Sequence, residues 1–275
     1  MGRSAHSSDG ESHTSRLVKG LLIVNPRSGR GGPRAHELVA EAARLGLDAH
    51  ELRAGEDPAD VARRSGADAL GIAGGDGSLA AVAQVALDRD APFVCVPFGT
   101  RNHFARDLGL DRNDPVGALR AFDGSEVRID VGRADDRLFL NNVSLGVYAR
   151  LVRRRERHRR RREAFARMRA WAALLRHPRQ LGITIDGEPV DTRVVLVANN
   201  AYGIDFPFVG ARERLDEGKL HLYLAGDERA GDRFVVDASA GRLEAAVDGE
   251  PDVLQTPIEF RIEPRALRVL VPDGR

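Results

Sequence analysis

The sequence predicts an α/β protein of two parts: a parallel-sheet domain, then an antiparallel β-sandwich or barrel. Three observations predict it. The first hundred residues alternate apolar runs with helical patterns. The Gly-rich loops fall at the carboxyl ends of those runs. From about residue 126 the helical patterns give way to short β-like runs separated by Gly, Asp or Pro. Alternating β and α elements of this length imply a parallel sheet covered on both faces, which binds ligands at its strand carboxyl ends.

The first strand is "LLIV" (21–24). In the helix that follows (33–46), Leu38, Ala42 and Leu45 share a face, Pro33 suits the first turn and Gly46 the stop. A strand near 48–52, a helix near 58–65, "ALGIA" (69–73), another helix and "FVCV" (93–96) complete the series. The later runs are "VRIDVG", "RLFLNNV", "LGITID", "TRVVLVAN", "KLHLYLAG", "RFVVDA", "RLEAAVDG" and "PIEFRI", whose spacing is that of an antiparallel fold. The expected divisions are a disordered leader over 1–16, an α/β domain over 17–126 and a β domain over 127–272. A helical insertion over 148–176 interrupts the β domain, and its final strand is free to return to the first domain.

Composition sets the outer bounds. The 275 residues are 42% hydrophobic and 30% charged, as in a soluble globular protein. No apolar run reaches the roughly 18 residues of a membrane-spanning helix. The opening "MGRSAHSSDGESHTSR" lacks the apolar core of a signal peptide, and His6 stands where myristoylation of Gly2 needs Ser or Thr. The single cysteine, Cys95, lies inside "PFVCVP", which marks a buried core thiol and a cytoplasmic chain. Net charge is +1, yet residues 153–169 hold ten Arg against two Glu. The eight histidines form no metal-binding pairs with cysteine partners.

Three loops carry the chemistry: "NPRSGRGG" (25–32), "GGDGS" (74–78) and "PFGTRNHFARDLG" (97–109). Each offers small residues ahead of a helix N-terminus, where free N–H groups and the helix dipole favour anions. Glycine lets the backbone approach phosphate closely. Three such loops suggest a polyphosphate. A carboxylate among them, Asp76, repels phosphate unless a cation or a transferable proton lies between, and Mg²⁺ commonly uses one or two carboxylates plus phosphate oxygens. The competing reading of Asp76 is a turn residue capping its own loop. No loop matches the P-loop pattern, and the nearby cations are Arg27, Arg30 and Arg101, each equally suited to solvent.

In order along the chain, these motifs resemble the diacylglycerol kinase catalytic-domain family of bacterial soluble lipid kinases, related to sphingosine and ceramide kinases. "VNPRSGRG" is similar to its N-P-x-S-G opening and "GGDGS" to its G-G-D-G-T. "PFGTRNHFARDLG" is similar to P-x-G-T-x-N-D-F-A-R-x-L-G, and "RIDVG…LFLNNVSLG" to the junction segment. "LDEGKL" and "VDGEP" match two further motifs. G-G-D-G alone is shared with NAD kinases and phosphofructokinases. The resemblance implies a Rossmann-like nucleotide-binding domain of that broader type and a β-sandwich domain, with a cleft for ATP and a lipid hydroxyl. It further implies nucleotide contacts from Asn25, Ser28 and Gly29. Gly74, Gly75, Asp76, Gly77, Ser78, Leu79, Ala80, Gly99, Thr100 and Asn102 would hold the phosphates. Glu250 would accept the hydroxyl proton, and Asp76 would assist catalysis and hold Mg²⁺.

"DGEP" occurs at 186–189 and at 248–251, and Asp-Gly between β-like runs signals a hairpin in both. Only the second stands where the family motif belongs, so Glu250 is the site residue and Glu188 a surface turn. The departures are His103 for the usual Asp, Ala80-Ala81 for Asn-Glu, Arg53 for Thr, and Glu217 for the Asp of a structural Mg²⁺ loop, where Asp216 is the substitute ligand.

The stretch Arg153–Arg169 reads as a cationic helix with an apolar stripe. It suits peripheral contact with an anionic membrane carrying a lipid substrate, or packing on the β domain with its arginines solvated. No nucleic-acid-binding module is present, and a homodimer is compatible with the sequence. The leading expectation is an ATP- and Mg²⁺-dependent lipid kinase. The rivals are a kinase of a soluble substrate such as NAD, and a non-catalytic nucleotide or lipid sensor.

Overall fold

A computed structural model describes residues 19–28, 33–146, 181–205, 208–224 and 227–274. The leader, Gly29 to Gly32 and the arginine-rich stretch 153–169 lie outside them.

The first lobe contains β1 (Gly20–Val24), α1 (Ala35–Arg44), β2 (Asp48–Glu51), α2 (Pro58–Arg64), β3 (Ala69–Gly74), α3 (Asp76–Asp88), β4 (Phe93–Pro97) and α4 (His103–Asp107). Its strands pair in parallel in the order β2-β1-β3-β4. Every residue of β1, β3 and β4 is buried, because helices cover both faces. Leu21, Ile23, Leu70 and Ile72 meet Leu79 and Val82 of α3 on one side. On the other side, Leu22, Val24, Val94 and Val96 meet Leu38 and Ala42 of α1. A strand buried on both faces needs a continuous apolar run rather than an alternating one, which is what "GLLIV" and "FVCV" supply. Cys95 sits in that core, where burial pushes its thiol pKa well up. Pro58 in the first turn and the Asp57 side chain, which accepts from the Ala59 N–H at 2.8 Å, start α2.

Among the described residues the second lobe is made of strands, and the helical insertion expected over 148–176 lies outside them. β5 (Ser125–Ala134), β6 (Arg137–Phe139) and β7 (Asn142–Gly146) precede β8 (Ile183–Ile185), β9 (Glu188–Val190) and β10 (Val194–Asn199). There follow β11 (Ile204–Asp205), β12 (Phe208–Val209), β13 (Leu220–Leu224) and β14 (Asp227–Gly231), then β15 (Arg233–Ala238), β16 (Arg242–Val247), β17 (Glu250–Gln255) and β18 (Ile258–Val271). Six of them form an antiparallel sheet in the order β14-β13-β10-β7-β16-β17. A sandwich core joins Val143, Val195, Val197 and Leu222 of that sheet to Ile185, Val236, Ile258 and Phe260 of the other.

The other sheet runs through both lobes, and β18 is the strand that does it. Val269 and Leu270 pair in parallel with Phe93 and Val94 of β4, while Ile258 to Arg261 pair antiparallel with β15. Both halves pair with β5, with a register shift between Glu263 and Leu267. Arg265 inside that bulge has φ +49°. An extra residue bends a strand locally, which lets one strand complete two differently oriented cores. Among the described residues, no helix is long and apolar enough to cross a membrane.

Candidate active site

Three bends meet at the carboxyl ends of β1, β3 and β4. Asn25, just past β1, donates its backbone N–H to the Ala73 carbonyl at 2.9 Å, and its side-chain amide to the Ser78 hydroxyl at 3.0 Å. The second and third bends touch backbone to backbone: a Cβ on Gly99 would stand 2.5 Å from the Gly75 Cα. Beside them lies the Ser28 hydroxyl, 3.9 Å from where a Gly75 Cβ would be. Glycine is required there because no side chain fits between the two chains. Asn25, Ser28, Gly75 and Gly99 therefore gather in one place. Thr100 is exposed beside them, and Gly29 lies outside the described residues. Leu79 is buried in the core and Ala80 packs against it, so their side chains face away from the bends. Only their backbone is available to a ligand.

Asp76 opens α3 and holds the third bend rather than its own. Its carboxylate accepts from the Phe104 N–H at 3.1 Å and from the His103 N–H at 3.3 Å. It thus caps α4, which spends on Asp76 two N–H groups that the sequence offers to phosphate. Asn102, before that helix, is buried in a left-handed conformation, φ +49°, and accepts from the Gly99 N–H at 2.8 Å. His103 is partly buried, which pushes its pKa down; the negative charge of Asp76 opposes this.

From the second lobe the β16–β17 hairpin reaches these bends. A Cβ on Gly77 would overlap the Glu250 side chain, so the carboxylate of this exposed residue lies against Gly77 in the first turn of α3, one residue along from Asp76. The turn itself is held by Asp248, which in the sequence looks like an ordinary hairpin residue. Its buried carboxylate accepts from the N–H groups of Leu140, Asn141 and Asn142 at 2.8, 2.7 and 3.1 Å. Burial pushes its pKa up to about 6, against the pull of those three donors. The repeated D-G-E-P hinted at one special hairpin, but nothing local marks its aspartate as buried.

The loop expected to hold a structural Mg²⁺ does not fit one. Asp216 accepts from Arg214 at 3.1 Å and from Arg265 at 3.0 Å. Glu217 accepts from the Ala201 N–H and meets His221 at 3.2 Å. Beneath them the fully buried Asp130 spends its two oxygens on the N–H groups of Gly218 and Arg265. The carboxylates of Asp216 and Glu217 thus face different ways, each toward partners supplied by the protein itself. Among the described residues no group of three or more His, Cys, Asp and Glu gathers to hold a metal. Asp76 is different. Each of its oxygens uses one lone pair on a backbone N–H, so one carboxylate remains able to share a cation with phosphate oxygens, the usual habit of Mg²⁺.

Beside the bends lies a cleft of about 300 Å³, walled by Asn25, Gly77 and Ser78 on one side and by Leu52, Arg53, Glu56 and Pro58 on the other.

A parallel α/β lobe with glycine bends at its strand ends, faced by a carboxylate hairpin from a β-sandwich, defines a two-lobed protein with a cleft beside those bends. Comparison with known proteins narrows the class. Residues 19–134 match the diacylglycerol kinase catalytic domain, in line with the motifs. It is 33% identical to a diacylglycerol kinase of Mycobacterium tuberculosis over 138 residues, covering 47% of this chain and 44% of that one. Against a diacylglycerol kinase of Bacillus subtilis it is 29% identical over 135 residues, 46% of this chain and 45% of that one. The matched segments thus span less than half the length of these curated relatives. The fold likeness extends further: a diacylglycerol kinase structure from Bacillus anthracis superimposes with a TM-score of 0.72 at 18% identity, covering 94% of this chain and 99% of that one.

Proposed function

We propose that the protein is an ATP-dependent lipid kinase that phosphorylates the hydroxyl of diacylglycerol or a related lipid. The observation that carries this reading is the carboxylate of Glu250 lying against Gly77, at the phosphate bends and beside Asp76. Phosphoryl transfer depends mainly on positioning and charge stabilisation, plus a group that accepts the proton of the attacking hydroxyl. The bends formed by Asn25, Ser28, Gly75 and Gly99 seat the phosphates, and the adjoining cleft takes the nucleoside. Glu250 orients the lipid hydroxyl and removes its proton as the lipid oxygen bonds to the γ-phosphorus of ATP, the bond from that phosphorus to the β,γ-bridging oxygen breaks, and ADP leaves with the bridging oxygen. Asp76 is the residue that would hold Mg²⁺, which when bound would neutralise charge on the transferred group. A diacylglycerol-like substrate resides in a membrane, and Arg153–Arg169, though outside the described residues, carries the positive charge needed to keep a cytoplasmic enzyme at an anionic bilayer.

The test incubates the purified protein with radiolabelled ATP and mixed micelles of diacylglycerol, monoacylglycerol, ceramide or sphingosine, with and without Mg²⁺. Label should enter at least one lipid, and Glu250→Ala should abolish it. If no lipid is labelled, or if Glu250→Ala matches the wild type, the reading fails. Labelling of NAD in the absence of lipid would replace it with that of a soluble-substrate kinase.

A further inference from the structure

Besides the shared strand β18, a closed circuit of contacts ties the two lobes together, and its centre is an arginine that no motif singles out. Arg212 lies between β12 and β13 with its side chain fully buried. Its Nε donates to Asp107, the last residue of α4, at 2.8 Å; that carboxylate is also fully buried. Its remaining nitrogens donate to the carbonyls of Leu140 and Asn199 at 2.7 and 2.9 Å and to the Asn141 side chain at 2.8 Å. The guanidinium also lies over the Tyr202 ring, 5.5 Å from its centre. A planar five-donor fork can satisfy this many acceptors from a fixed position, whereas an ammonium cannot.

From each end of this fork a short path leads to the candidate site. Through Asp107 it runs along α4 to the His103 and Phe104 N–H groups, which hold Asp76. Through Leu140 and Asn141 it runs to the N–H groups that hold Asp248, two residues from Glu250. Glu250 lies against Gly77, and the circuit closes. Beyond the strand β18 that the lobes share, α4 is tied to the second lobe by Arg212 on Asp107 and by the donation of Arg106 to the Gly210 carbonyl at 2.8 Å.

We propose that Arg212 is a positioning residue: by clamping α4 to the Leu140–Asn142 segment it sets the separation between Glu250 and the phosphate bends. The consequence for catalysis rests on the reading of Glu250 as proton acceptor; the consequence for geometry does not.

Two measurements test it on the full-length protein. Cys95 is buried, so spin labels on Ala43→Cys and Ala240→Cys, exposed positions in the two lobes, report the inter-lobe distance. Arg212→Met should broaden and lengthen that distance distribution, and Arg212→Lys should do so less. In lipid phosphorylation, Arg212→Met should lower kcat at least tenfold while leaving the KM for ATP within about twofold, because the nucleotide seat belongs to the first lobe alone. Should Arg212→Met fail to fold, Asp107→Ala, which removes the acceptor of the Arg212 Nε on α4, decides the matter by the same two readouts. Unchanged distances in the folded variants overturn the proposal, as does a KM that rises in step with the fall in kcat. Shifted distances in a protein whose wild type phosphorylates nothing would leave the clamp standing and remove the kinase reading.

Discussion

Asp-Gly-Glu-Pro closes two hairpins in this molecule, β8–β9 and β16–β17, with almost the same backbone. Asp186 and Gly187 have φ +51° and +84°, and Asp248 and Gly249 have φ +47° and +85°. Two successive residues at positive φ make the tight turn that a twisted hairpin prefers. Beyond the turn the two diverge. Asp186 is exposed and accepts one N–H, from Val235 at 2.8 Å. Glu188 next to it is 76% exposed, with Arg229 3.7 Å away. Asp248 is buried beneath three N–H donors, and Glu250 is laid against a helix of the other lobe. Four residues thus specify a turn, while the neighbours reached through the rest of the chain decide whether that turn can do chemistry.

The contrast can be broken most sharply at the glutamates. Glu250→Gln removes the proton acceptor and should slow lipid phosphorylation by roughly 10²–10⁴-fold, whereas Glu188→Gln should match the wild type in the same initial-rate assay. The aspartates come next. Asp248→Ala leaves three buried N–H groups without their acceptor at about 1–3 kcal/mol each, so urea unfolding should show a loss of several kcal/mol, against far less for Asp186→Ala. The pH dependence of Asp248 follows from its raised pKa. A carboxyl at about 6 in the fold and about 4 when unfolded binds more protons folded than unfolded between those values. Its contribution to stability is therefore full below pH 4 and lost as pH rises through 6, about 3 kcal/mol in all. The stability difference between the wild type and Asp248→Asn should accordingly narrow, or reverse against the wild type, from pH 4 to pH 7. The smallest effect on stability separates folding from function: Gly77→Ala sits within α3, where alanine is the better helix former by up to about 1 kcal/mol. The melting temperature should hold or rise slightly, while turnover falls at least tenfold because the new methyl displaces Glu250.

The first lobe was legible because its signals are local. Apolar runs buried on both faces, helical spacing at Leu38 and Ala42, and glycines where backbones touch all leave their mark within a few residues. Cys95 was legible for the same reason. What could not be read depends on partners far away in sequence. Asp76 looks like a turn residue or a metal ligand until α4, 27 residues on, delivers its N–H groups. Asp107 and Arg212, 105 residues apart, belong to stretches that otherwise look solvated, and their burial needs acceptors from two further segments, at Leu140–Asn141 and at Asn199. The cation loop misled because Arg265, which answers Asp216 from 49 residues away, sits in a bulge that only the register of β18 creates.

That long strand also bears on how the molecule is made. During synthesis the early strands β1 to β4 emerge with the edge of β4 still open, and their natural neighbour, Val269 and Leu270, is translated more than 170 residues later. At about 5–20 residues per second, an exposed apolar edge waits for many seconds while the entire second lobe leaves the ribosome. Until then that edge needs temporary cover, and the pairing of β18 with β4 follows the synthesis of every strand between them.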